Sequence, residues 1–147
     1  MNINKTGRDF IYKEEGVLLT AYKCQADIPT IGVGFTYYPN TGRKVQMGDK
    51  ITQVECDLIF KEIIKVYEEA VNRSIKVVLT QNQFNALVSL AFNIGCGAFA
   101  GSTLVKKINA KVGLDEIEKW LCIWKNAGGK PILLSRRQRE FKLYTTV

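Results

Sequence analysis

Residues 81–95, QNQFNALVSLAFNIG, place apolar side chains on nearly every face of a helix. A helix of that kind is stable only when buried, so other elements must wrap around it. Thr80 and Gln83 stand ahead of it at capping-box spacing, and Gly95-Cys96-Gly97 is expected to break it behind. With 147 residues, the chain is expected to form one domain around that helix. A chain this long buries roughly two-thirds of its unfolded surface, enough for a core without staples.

The other elements follow from local signals. Residues 4–15 predict a short helix that stops at Gly16. Residues 17–38 are β-branched and aromatic, with Pro29 and several glycines as punctuation. They predict two or three short strands with a turn over residues 24–28, and residues 39–51 read as loop. Thr52 and Glu55 form a capping box for a long helix over residues 53–73. Its apolar positions, Cys56, Ile59, Phe60, Ile63, Tyr67, Ala70 and Val71, recur at helical spacing. Further helices are expected over 101–110 and 113–124. Gly128, Gly129 and Pro131 come next, and a third box at Ser135 and Gln138 is expected to open a last helix to about Tyr144.

The expected architecture is α+β with a minor, segregated sheet. A β-containing lobe over about residues 1–52 is joined by the helix 53–73 to a helical lobe over about 74–147. A cleft between two such lobes is a natural ligand site.

Composition narrows the chemistry. The chain has no histidine, which removes the Ser-His-Asp triad, the Cys-His pair and the HExxH zinc site. A general acid or base must be Asp, Glu, Lys, Tyr or Cys. The four cysteines, Cys24, Cys56, Cys96 and Cys122, contain no CxxC, so neither a zinc site nor a dithiol redox motif is expected. Cys56 and Cys122 read as small buried thiols. No stretch approaches the ~20 apolar residues of a membrane span, and the N-terminus lacks the apolar core of a signal peptide. A net charge of +7 points to an anionic partner: nucleic acid, an acidic membrane surface or an anionic wall. The dense basic cluster is Ser135–Arg139.

Glu15 is the first site candidate, at the junction of helix and sheet. An acid desolvated there by Phe10, Tyr22 or Ile31 would hold its proton longer and could donate it near neutral pH. The plainer reading is a solvated helix end, at a small cost against the helix dipole. Cys24 and Thr30 lie on the two arms of the expected hairpin, and Asp27 between them has the composition of a turn residue. A hydroxyl and an ionisable group facing Glu15 could hold a water for attack.

These residues carry a resemblance. Residues 15–36, EGVLLTAYKCQADIPTIGVGFT, resemble the catalytic region of the phage-type lysozymes, the endolysins of tailed phages and prophages. That pattern is Glu, eight residues, Asp or Cys, five residues, Thr. Here it reads Glu15, Cys24, Thr30 without a gap. Residues 84–109 resemble the family's central segment, and residues 136–144, RRQREFKLY, its arginine pair followed by Glu. The similarity runs in order along nearly the whole chain.

The resemblance implies a lysozyme-like α+β fold and a muramidase that hydrolyses the β-1,4 bond between N-acetylmuramic acid and N-acetylglucosamine in peptidoglycan. It implies Glu15 as general acid, Thr30 as the residue that positions water, and Cys24 in a place often held by Asp. Arg136 or Arg137 would orient Glu15, with a solvated basic face as the alternative, and Asp27 is a further candidate for water activation. No metal or organic cofactor is implied, and inversion is the family's usual outcome. A monomer is expected, made in the host cytoplasm and released to the periplasmic wall through a holin lesion, unless a signal-anchor has been lost. The chain departs from the pattern at Cys24 and at Phe35, where the family often has His. A thiol with pKa near 8.5 is mostly neutral at pH 7 and a poor base unless that value is depressed.

Three rivals remain at this stage. A lytic transglycosylase needs an acid but no positioned water, which Thr30 argues against. A wall-binding protein with a weakened site would explain Cys24 and Phe35. A nucleic-acid binder finds no aromatic-basic strand or groove-reading motif to support it.

Overall fold

The helix that must be buried is buried. In the computed structural model, which describes residues 1–147, α4 (Gln81–Ile94) has an unbroken run from Phe84 to Ala91 in the interior. Thr80 Oγ1 accepts from Gln83 N–H while the Gln83 side chain accepts from Thr80 N–H, so the expected capping box forms. Gly95, at φ 97, ends the helix. Cys96 and Gly97 do not extend the break: they begin a short helix, α5 (Cys96–Ala100).

The chain divides into two compact units, residues 1–8 with 66–147 and residues 9–65. The first boundary passes through α1 (Lys5–Glu15), so the N-terminal residues belong with the helical unit. Asn4 Oδ1 accepts from Gly7 N–H as the cap of α1 and from Asn85 Nδ2 at 2.8 Å. Gln81 Nε2 donates to Asn85 Oδ1 at 3.0 Å. Asn85 has no exposed surface, and these bonds offset the cost of burying an amide inside an apolar helix.

In the helical unit α4 packs on α8 (Leu134–Tyr144), and α7 (Leu114–Cys122) packs on both α6 (Thr103–Asn109) and α8. Ser102 caps α6 by accepting from Val105 N–H. The expected third capping box does not form. Leu133 is the N-cap of α8, without a side-chain bond, and Ser135 already lies inside the helix.

The long helix expected over residues 53–73 is two segments, α2 (Gln53–Ile63) and α3 (Lys65–Ser74). Ile64 interrupts the pattern while keeping right-handed backbone angles, φ −69 and ψ −18. The Thr52–Glu55 capping box forms as expected.

The smaller unit holds the sheet. β1 (Leu18–Lys23) and β2 (Pro29–Gly32) are antiparallel, with Tyr22 opposite Thr30 and Lys23 opposite Pro29. These two strands are the whole sheet, and isolated bridges join Thr20 to Lys50 and Tyr37 to Lys44. The register shifts between Leu18 and Tyr22, so the hairpin is irregular toward its base. Ile11, Ile31, Val33, Phe35, Val45, Cys56 and Phe60 form the core of this unit. Phe35 folds back on Gly32, whose φ is 64. A Cβ at Gly32 would stand 2.5 Å from the Phe35 ring, so the turn admits only glycine. The departure at Phe35 is therefore absorbed as buried packing.

Candidate active site

Glu15 is the last residue of α1, and Gly16 at φ 81 turns the chain toward β1. Gly16 N–H donates to Tyr12 O at 2.8 Å, the single bond of a left-handed helix cap. Helix end and strand start thus fix where Glu15 stands. Its side chain is exposed, not sunk among Phe10, Tyr22 and Ile31 as the sequence suggested.

At the far end of β1 the hairpin turn brings Cys24 and Thr30 together. Cys24 N–H donates to Ile28 O at 3.1 Å, and Asp27 N–H donates to Cys24 O at 2.9 Å. The Cys24 sulfur faces the backbone N–H groups of Ile28 and Ala26 and the Thr30 hydroxyl. These donors hold the thiol below its usual range, the Ile28 N–H most strongly and then that of Ala26, against a partial desolvation that raises it. An aspartate carboxylate uses such amides in a turn in the same way, so the loop cradles an anion whichever of the two side chains it carries.

Thr30 is 3 % exposed, and its hydroxyl donates to Ile28 O at 2.8 Å. A hydroxyl has one proton and two lone pairs. With that proton committed to Ile28, the oxygen is left to accept from a thiol or a water. If Cys24 ionises, the Thr30 proton can turn to the sulfur instead, which favours the thiolate.

Asp27 sits at φ 61, a left-handed turn conformation that Asp tolerates better than most residues. Its carboxylate is 82 % exposed and stands 3.6 Å from Lys23 Nζ. The plainer reading of Asp27 as a turn residue accounts for this geometry.

Arg136 and Arg137 belong to the helical unit, where both meet a buried acid. Arg137 Nε stands 2.8 Å from Glu140 Oε1, and Arg136 Nε stands 3.2 Å from Glu140 Oε2. Ser89 Oγ donates to Glu140 Oε2 at 2.6 Å, and Arg137 Nη2 donates to Asn93 Oδ1 at 2.8 Å. The two arginines are not a solvated basic face. Burial pushes the Glu140 carboxyl up, while Arg137, Arg136 and Ser89 hold it down. Sequence reasoning marked the arginines and the spacing of Glu140 but missed Ser89 and Asn93. A serine within an apolar helix was the one available signal.

Residues 12–140 match the phage lysozyme family. The chain belongs to that family. It is 42 % identical over 145 residues to the endolysin of Salmonella phage P22, covering 98 % of both chains. It is 34 % identical over 131 residues to the SAR-endolysin of Enterobacteria phage P21, covering 86 % of this chain and 74 % of that one. A crystal structure of a P22 lysozyme mutant superposes with a TM-score of 0.90 at 40 % identity, covering 99 % of each chain. The fold is lysozyme-like α+β, and the family's activity is that of a glycoside hydrolase on peptidoglycan. No helix is long and apolar enough to cross a membrane.

Proposed function

We propose that this phage lysozyme cleaves the β-1,4 bond between N-acetylmuramic acid and N-acetylglucosamine, with Glu15 as general acid and water held by Thr30 and Cys24. The observation that carries the reading is the Cys24–Thr30 pair, set in a turn whose amides favour negative charge. Glu15 protonates the glycosidic oxygen as the bond breaks. The oxocarbenium-like sugar is attacked from the opposite face by water, whose oxygen sits against the Thr30 hydroxyl. Cys24 stabilises the proton leaving that water, in part as thiolate. The anomeric configuration inverts, and protonation with water attack asks for no metal or organic group. Asp27 shapes the turn. Arg136 and Arg137, held on Glu140, brace the interior of the helical unit.

The relatives named endolysin support a role in host lysis. The chain works as a single monomeric domain, made in the host cytoplasm and reaching the periplasmic wall after release through a holin lesion. Its charge of +7 suits an anionic wall. Mass spectrometry of fragments released from purified peptidoglycan tests the reaction class. Reducing-end muramic acid is expected. Anhydro ends would make the enzyme a transglycosylase and leave Thr30 without its water.

A further inference from the structure

The helical unit carries a concave surface, a groove of about 500 Å³ with no residue of the Glu15–Cys24–Thr30 set in its lining. That volume lies within the range of small-molecule sites. Val78, Leu79, Ile108, Val112, Leu114 and Ile117 supply its apolar part, and Gln83 and Tyr144 line it too. Val78 is 98 % exposed and Leu114 is 54 % exposed, so apolar surface here faces water beside the groove.

The charged residues that line the groove are Lys76 and Lys111, and no carboxylate lines it. Lys111 holds φ 58 as the residue that ends α6, its N–H donating to Ile108 O at 2.9 Å and that of Val112 to Lys107 O at 3.3 Å. Lys76 Nζ donates to the Arg73 carbonyl, so neither ammonium is neutralised by an acid. An apolar trough with two cations is complementary to a molecule that is apolar along its length and anionic at one end.

We propose that this groove binds a long-chain fatty-acid anion, its acyl chain along Val78, Val112 and Leu114 and its carboxylate at Lys76 and Lys111. Charge selects the head: two flexible point charges suit a single carboxylate. Apolar contact selects the tail, since each buried methylene tightens binding about fourfold.

The test is calorimetric titration of the whole chain with octanoate, decanoate and dodecanoate, each below its micelle concentration. Saturable one-to-one binding is expected, tightening on the order of tenfold for each two carbons. Lys111→Gly removes one cation while giving the backbone the residue its φ prefers, so the fold is kept. It should weaken dodecanoate binding several-fold. Val78→Glu, at a solvent-exposed position, should weaken it further. Affinity independent of chain length, or unchanged in both variants, overturns the proposal. So does adsorption to phosphatidylglycerol vesicles without saturable dodecanoate binding, which would assign the patch to a bilayer surface.

Discussion

Arg137 Nε stands 2.8 Å from Glu140 Oε1, and neither side chain has exposed surface. With Arg136 on the other carboxylate oxygen, three charges are out of water together, and Ser89 and Asn93 complete their bonding. Removing one strands its partner, typically at 3–5 kcal/mol. Glu140→Ala should therefore lower unfolding free energy by about that much, read as a shift in urea midpoint at constant slope. Glu140→Gln keeps the shape and a hydrogen-bonding group and should cost less. Equal stability of all three proteins would show that the cluster contributes nothing.

Cys24 should be the first thiol to react. The amides of Ile28 and Ala26 lower its pKa, whereas desolvation raises those of Cys56, Cys96 and Cys122. The thiolate is the nucleophile, so iodoacetamide should label Cys24 selectively at neutral pH. Its rate should reach half-maximum below the pH of an ordinary cysteine. Peptide mapping that finds Cys96 or Cys122 labelled first would contradict this.

The same turn predicts which replacements of Cys24 keep activity. Cys24→Asp supplies a carboxylate to the same amides, is ionised across the neutral range, and should retain activity with a weaker dependence on rising pH. Cys24→Ser keeps the size but cannot ionise, and should lose on the order of tenfold or more in turnover. A serine variant matching wild type at every pH would limit Cys24 to packing.

Gly16 fixes the helix end that carries Glu15. Gly16→Ala meets no steric obstacle, because nothing lies within 4 Å of a Cβ there, yet φ 81 is unfavourable for alanine. The expected loss is about 1–2 kcal/mol of stability. A melting temperature equal to that of wild type would show that the chain rearranges there freely.

Asp49 ties down the loop after the sheet. It accepts from the Tyr38 hydroxyl at 2.8 Å and from Gln46 N–H at 3.0 Å, and Arg43 lies 3.4 Å away. Gln46 N–H contributes most to holding its carboxyl below the usual range, followed by Tyr38. A lowered acid contributes stability above its unfolded pKa and loses it as pH falls through the folded value. Asp49→Asn should melt earlier than wild type at pH 7, and the gap should close below about pH 4. A gap independent of pH would mean that the charge is not what matters.

Features set by neighbours in sequence were legible without the structure. The capping boxes at Thr52 and Thr80 need only residues three apart, and the Cys24–Thr30 pair needs only a short hairpin. Features set by long-range packing were not. Ser135 and Gln138 have capping-box spacing, yet the N-cap of α8 is Leu133, two residues earlier, with Arg136 and Arg137 buried on the helix. Charged side chains in a sequence read as surface, and only the burial of Ser89, Arg137 and Glu140 together shows otherwise. The interruption at Ile64 carries no glycine or proline to announce it. Glu15 is singled out by its place in the pattern, and of its two readings the structure shows the exposed helix end, because exposure depends on how the helix end meets solvent.

The central claim is that Glu15 supplies the proton. Turnover of purified peptidoglycan by wild type and Glu15→Gln, measured as new reducing ends and normalised to protein of equal melting temperature, tests it most directly. Glutamine keeps the size and has no acidic proton, so the rate should fall by roughly 10²–10⁴-fold. A folded Glu15→Gln protein that keeps more than a tenth of wild-type turnover would place the acid elsewhere in the chain.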